Sequence, residues 1–72
     1  MARDYFTAES NFIESAGYDS QTSILGIKFK SGEVWNYSPV PAGVWEGFKG
    51  AASKGVFFHA YIKSRYSEMQ VE

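Results

Sequence analysis

An α+β fold is predicted: a three-stranded antiparallel β-meander followed by two short helices, in the order βββαα. Three observations carry it. Leu25, Ile27 and Phe29 alternate with Gly26, Lys28 and Lys30, the period of a strand with one buried face. Ser31-Gly32 follows at once, and Val34-Trp35-Asn36-Tyr37 then resumes an extended pattern, so the two runs read as a hairpin. Beyond Pro39 and Pro41 the period lengthens, with Val44, Trp45, Phe48 and Ala51 along one helical stripe. Phe58, Tyr61, Ile62 and Arg65 lie along a second.

Taken in order, residues 1–10 form an N-terminal arm, polar apart from Tyr5 and Phe6. It is either frayed or docked, and two aromatics favour docking or exchange with a second copy. Residues 11–18 read as the first strand, and the polar, turn-rich run from Gly17 to Thr22 leads into the hairpin. Prolines 39 and 41 end the pairing, because proline brings no amide donor, and Pro41 suits a first helical turn. Gly43, Gly47 and Gly50 weaken the first helix by up to ~1 kcal/mol each, so tertiary packing must hold it. Ser53 is a good N-cap for the second, from Lys54 to about Tyr66. Residues 67–72 are a tail in which Met69 and Val71 alternate, as a short C-terminal strand or as a loose end. The domain proper is residues 11–66.

Hairpin register decides where the aromatics face. A two-residue loop sets Lys30 against Glu33, a pair worth up to ~1 kcal/mol, and Phe29 against Val34. Trp35 and Tyr37 then share the outer face with Gly26 and Lys28. A three-residue loop turns both rings inward, since a one-residue slip exchanges the two faces. The favourable charge pair selects the two-residue loop.

A chain of 72 residues holds one domain with a marginal core, burying ~60% of its unfolded surface. There is no cysteine, hence no disulfide or thiolate metal site, and the one histidine rules out a multi-histidine site. Pairing with a second copy is the stabilisation left, so a homodimer or higher assembly is expected. Seven cations stand against eight anions, which gives an extended phosphate backbone little net attraction. No apolar run approaches ~20 residues and no signal peptide opens the chain, so a cytoplasmic protein with no membrane role is expected.

Catalysis is not expected. His59 has no nucleophile partner, and Glu14, Asp19, Glu33 and Glu46 read as solvated surface carboxylates. Binding chemistry is better represented. Trp35 and Tyr37, beside the space left by Gly26 and the charge of Lys28, suit a nucleobase, whose stacking is worth ~1–3 kcal/mol. The same rings equally suit a core or a dimer interface. Ser53-Lys54-Gly55 opens a helix and suits one phosphate, where plain capping is the bland alternative. Lys63 and Arg65, in the last helical turn, offset the dipole, and Arg65 leans from the Phe58 stripe towards a ligand or a carboxylate.

The order Gly17-Tyr18-Asp19, Leu25-x-Ile27-x-Phe29-x-Ser31-Gly32, Trp35-x-Tyr37, Val40-Pro41, Ala52-Ser53-Lys54-Gly55 and Phe58-x-x-x-Ile62-x-x-x-Tyr66 resembles the KTSC domain. That family takes its name from the C-terminus of some lysyl-tRNA synthetases and also occurs as small bacterial and phage proteins. The resemblance spans roughly residues 10–66. Where the family usually has Tyr-x-Tyr, this chain has Trp35-Asn36-Tyr37, which keeps the aromatic pair and removes the first hydroxyl. The resemblance implies a small α+β unit and suggests RNA binding, and nothing in the family pattern implies catalysis; Tyr18 and Asp19 resemble family positions, which a turn role explains equally well.

The functional expectation is therefore non-enzymatic binding of a small nucleotide or cyclic nucleotide-type signal, with no cofactor. The ligand residues are Trp35, Tyr37, Lys28, Ser53, Lys54, Gly55, Arg65 and Tyr18. Sequestration of a bacterial immune signal by a phage sponge-type protein is one concrete version, placed in the cytoplasm of a bacterium or an infected host. An RNA-binding accessory module and a protein-interaction or oligomerisation unit are the alternatives.

Overall fold

The computed structural model describes residues 3–7 and 11–72, and of Arg3 and Asp4 the backbone alone. Residues 1, 2 and 8–10 of the expected arm lie outside the described residues. The class is α+β, with more strands than the expected three. Five strands form one antiparallel sheet in chain order: β1 Arg3–Thr7, β2 Ile13–Asp19, β3 Ile24–Phe29, β4 Val34–Ser38 and β5 Ser67–Gln70. Two helical segments lie between β4 and β5: α1 Ala42–Gly50 and α2 Lys54–Phe57, the latter running on as a π-helical turn over Phe58–Ile62. No helix among the described residues is long and apolar enough to cross a membrane.

The two added strands come from the ends. Within the arm, Arg3–Thr7 is docked as an edge strand on β2, with Phe6 opposite Ala16. Phe6 packs its ring on Trp45 at 5.3 Å and on Phe48 at 5.0 Å, which removes the cost of leaving it in water. At the other end Ser67–Gln70, which includes Met69 but not Val71, forms a strand, β5, paired with β4.

The hairpin takes a register that the two-residue loop does not allow. Phe29 N–H donates to Glu33 at 2.9 Å, and Gly32 N–H donates back to Phe29 at 2.9 Å. The loop is thus three residues, Lys30-Ser31-Gly32, and Gly32 takes φ +97°. A tight turn closed by a left-handed residue is the usual three-residue solution, and glycine adopts it without strain. Ile27 now faces Trp35 and Leu25 faces Tyr37, so both rings point inward. Lys30 no longer faces Glu33. The turn geometry outweighs a surface charge pair of a few tenths of a kcal/mol.

The core lies between the inner sheet face and the helices. Ile13, Ala16, Tyr18, Leu25, Ile27 and Tyr37 come from the sheet, Trp45 and Phe48 from α1, and Phe58 and Ile62 from the π turn. Val40, wholly buried, closes one end. The helix start is one residue later than expected: Pro41 is the N-cap, and its carbonyl accepts from Val44 at 3.0 Å. The second helix is shorter than expected, ending at Ile62 rather than near Tyr66. The chain then reverses through Ser64, at φ 64°, to reach the edge of β4.

Candidate functional site

The sequence places phenylalanines at three points that the fold brings together: Phe12 before β2, Phe29 at the end of β3, and Phe58 opening the π turn. Phe12 and Phe29 stack at 6.2 Å with an interplanar angle of 11°, and Phe58 meets Phe29 edge-on at 5.7 Å. Tyr37 is 3% exposed and forms the floor, with Phe58 standing edge-on over it at 5.6 Å. Trp35, half-buried, completes the wall, and its indole N–H donates to Glu33 Oε1 at 2.9 Å, which fixes the ring. The result is a cleft of about 390 Å³, rimmed by Glu33, Glu68, His59 and Lys63. That volume is within the range of small-molecule sites.

A second hollow, of about 680 Å³, adjoins the first. It is lined by Asn11, Ser53, Lys54 and Gly55, and it shares Phe12 and His59 with the aromatic cleft. The His59 ring is tilted against Phe12 at 5.3 Å, so these two side chains form a partition between the hollows. A π turn widens the helix by one residue per turn, and such turns frequently mark functional positions. Here Phe58 and Ile62 both stay in the core while His59 is exposed on the partition.

The expected ligand residues divide. Trp35 and Tyr37 line the aromatic cleft, and Ser53, Lys54 and Gly55 line the adjoining hollow. Two of these carry structural duties. Ser53 Oγ accepts the Val56 N–H at 3.2 Å, an N-cap. Lys54 turns its ammonium back to the Ala51 carbonyl at 2.7 Å and lies 5.4 Å from the Phe6 ring centroid. Its charge thus offsets the C-terminal end of α1 rather than standing free for a phosphate.

Lys28, Tyr18 and Arg65 are not brought to this groove. Lys28 is on the opposite sheet face from Trp35, where its ammonium is 3.7 Å from Glu14. That outer face has its own hollow, of about 550 Å³, floored by Gly17 and Gly26 and flanked by Tyr5 and Asn36. Tyr18 is 4% exposed, stacks on Trp45 at 5.5 Å and donates its hydroxyl to the Val40 carbonyl. It is a core tie. Arg65 lies beyond the shortened helix beside Val44, Tyr61 and Tyr66. Tyr61, expected on the buried stripe, is 58% exposed and packs on Phe57 at 4.7 Å, because the π turn rotates it outward.

One ionisation at the site is perturbed. The Tyr37 hydroxyl is pushed up from 10.0 to about 12, by burial first and by the Glu68 carboxylate second. Glu68 sits directly across the β4–β5 pair from Tyr37. The phenol therefore stays protonated throughout the physiological range and remains a donor.

Sequence reasoning missed Phe12, Phe29, His59, Glu33 and Glu68 as site residues. Phe29 carried a strand signal, which hid any further role. Glu68 gave no signal at all, since only the return of β5 to the sheet carries it to the cleft.

The KTSC domain profile matches residues 9–66. The chain belongs to the KTSC domain family. The crystal structure of a KTSC domain protein from Yersinia pestis is similar to it at 31% identity and a TM-score of 0.91, covering 99% of this chain and 100% of that one. A small protein of Tsukamurella paurometabola is 38% identical over 58 residues, 81% of this chain and 87% of that relative. The lysine–tRNA ligase of Trichormus variabilis is 40% identical over 63 residues, 88% of this chain. The match spans only 11% of that ligase's length. A segment similar to this KTSC domain thus occurs within a much longer enzyme and also makes up most of a small protein.

Proposed function

We propose that this KTSC domain binds a small nucleotide without converting it. The base lies in the Trp35 cleft and the phosphate reaches the hollow beside Ser53 and Gly55. The observation that carries this reading is that the two hollows lie side by side, with Phe12 and His59 lining both, so one ligand could reach across them. A planar ring gains from aromatic walls, at ~1–3 kcal/mol for a stacked base. The second hollow contributes the amides of Lys54 and Gly55, which a first helical turn leaves without intrahelical partners. His59 and Lys63 stand over the partition and the rim as further donors. An outer-face platform of Trp35, Tyr37 and Lys28 plays no part. Holding a signal nucleotide in the cytoplasm, by one copy or by a homodimer, is sequestration, and an immune signal met by a phage protein is one instance.

Mass spectrometry of small molecules released by heating the purified chain tests the reading directly. Calorimetric titration with mononucleotides, dinucleotides and cyclic dinucleotides extends it. Binding of at least one is expected, and a Trp35→Leu variant with an unchanged circular dichroism spectrum is expected to lose it. Absence of binding to every compound overturns the reading. RNA contact is a second reading, favoured by the similarity to a segment of lysine–tRNA ligases. Binding to transfer RNA that weakens steeply with salt, with no nucleotide bound, selects it.

A further inference from the structure

The rim of the aromatic cleft is not charged as a site for any base would be. Two carboxylates, Glu33 and Glu68, line the cleft together with Trp35, Lys63 and His59. Glu33 already accepts the indole N–H, so its charge is partly committed to holding the ring. Glu68 is exposed, on the edge strand, across from Tyr37. An ionised carboxylate only accepts, and its two oxygens can take two parallel N–H groups. A plane with a pair of adjacent N–H donors on one edge, and an acceptor next to them for an ammonium, matches the charges on this rim.

Among the common bases guanine alone has that edge, with N1–H and the 2-amino group side by side and O6 adjoining them. Adenine turns a bare ring nitrogen towards the carboxylate, and cytosine does the same. Uracil offers one N–H between two carbonyls. Placing a lone pair against a carboxylate is repulsive, which disfavours those bases. Resting on the nucleotide reading above, we propose that the Trp35 cleft is selective for guanine, with Glu68 accepting N1–H and the 2-amino group and Lys63 donating to O6. The Tyr37 phenol, held protonated beneath, keeps the floor uncharged next to Glu68.

The test uses the full chain, titrated with GMP, IMP, AMP, CMP and UMP by calorimetry, with arginine amide as a non-nucleotide carrier of paired N–H donors. GMP is expected to bind about tenfold or more tighter than AMP, with IMP between them because it lacks the 2-amino group. Glu68→Gln is expected to bring GMP and AMP within about twofold, since an amide can donate to adenine as well as accept. The exposed position of Glu68 leaves the melting temperature of this variant unchanged, and the GMP–IMP comparison needs no variant at all. Equal affinity for GMP and AMP, or a preference that survives Glu68→Gln, overturns the guanine assignment and leaves nucleotide binding standing. Arginine amide binding as tightly as GMP overturns the guanine assignment too. Failure of all five mononucleotides overturns the guanine assignment, and failure of the dinucleotides and cyclic dinucleotides as well overturns both.

Discussion

The Tyr18 hydroxyl donates to the Val40 carbonyl across 2.6 Å, and this bond ties the centre of the sheet to the segment that launches α1. Val40 N–H in turn donates to the Ser23 carbonyl at 2.9 Å, so both backbone groups of a wholly buried residue are satisfied by the β2–β3 hairpin. Tyr18→Phe keeps the ring stacked on Trp45 and orphans the carbonyl. The expected loss is about 1–2 kcal/mol, which lowers the melting midpoint by about 4–8 °C per kcal/mol in a domain this small. Nucleotide affinity of the folded variant stays as in the parent, because Tyr18 is not on the wall of the Trp35 cleft. Calorimetric melting and titration of the same sample check both halves.

Two glycines of α1 separate helix propensity from packing. A methyl group at Gly43 meets nothing within 4 Å, whereas at Gly47 it comes within 3.1 Å of Phe57 Cζ. Gly43→Ala is therefore expected to stabilise by about 0.5–1 kcal/mol through the unfolded chain's lost freedom. Gly47→Ala gains the same backbone contribution and must push the Phe57 ring, which is packed between Phe48 at 5.6 Å and Tyr61 at 4.7 Å. Its net effect falls below that of Gly43→Ala. Urea midpoints of the two variants, compared at equal m-value, rank them.

Periodicity is enough to locate the strands of the hairpin and both helix starts to within a residue, because those follow from local alternation, proline and capping. It cannot choose the face of Trp35 and Tyr37. That choice rests on whether Gly32 is the second or the third residue of a loop, a difference of one position that reverses every side chain on β4. Long-range pairing is equally hidden. Nothing local in Ser67–Gln70 says that it returns to β4, yet that return places Glu68 at the cleft. The Ser53 cap is legible because capping needs only four consecutive residues, and the same locality is why its phosphate role cannot be told from its structural one.

Lys28 offers a direct check on the face assignment. It pairs with Glu14 at 3.7 Å, with the two side chains 49% and 51% exposed. A pair so open to solvent contributes little, so Lys28→Ala is expected to change stability by less than about 0.5 kcal/mol. It is also expected to leave nucleotide affinity unchanged, since the sheet itself separates Lys28 from Trp35. A marked loss of affinity in a folded Lys28→Ala variant, measured by titration at two salt concentrations, would return the ligand to the outer face.

Tyr37 makes stability depend on pH at the alkaline end. Burial and then Glu68 push its hydroxyl from 10.0 to about 12, so the folded chain holds this proton more tightly than the unfolded chain does. The resulting stabilisation is whole below pH 10 and is lost as pH climbs through the folded value near 12. A rise from 10.0 to about 12 corresponds to stabilisation on the order of 2–3 kcal/mol, an upper figure for a group with a second ionised neighbour. Tyr37→Phe removes the titrating group, so its stability falls less between about pH 9 and about pH 11 than the parent's does. Glu68→Gln removes only the smaller cause and is expected to fall between the two. Urea unfolding followed by tryptophan fluorescence across that range measures all three slopes, and equal slopes for parent and Tyr37→Phe would mean that the phenol is not held above its ordinary value.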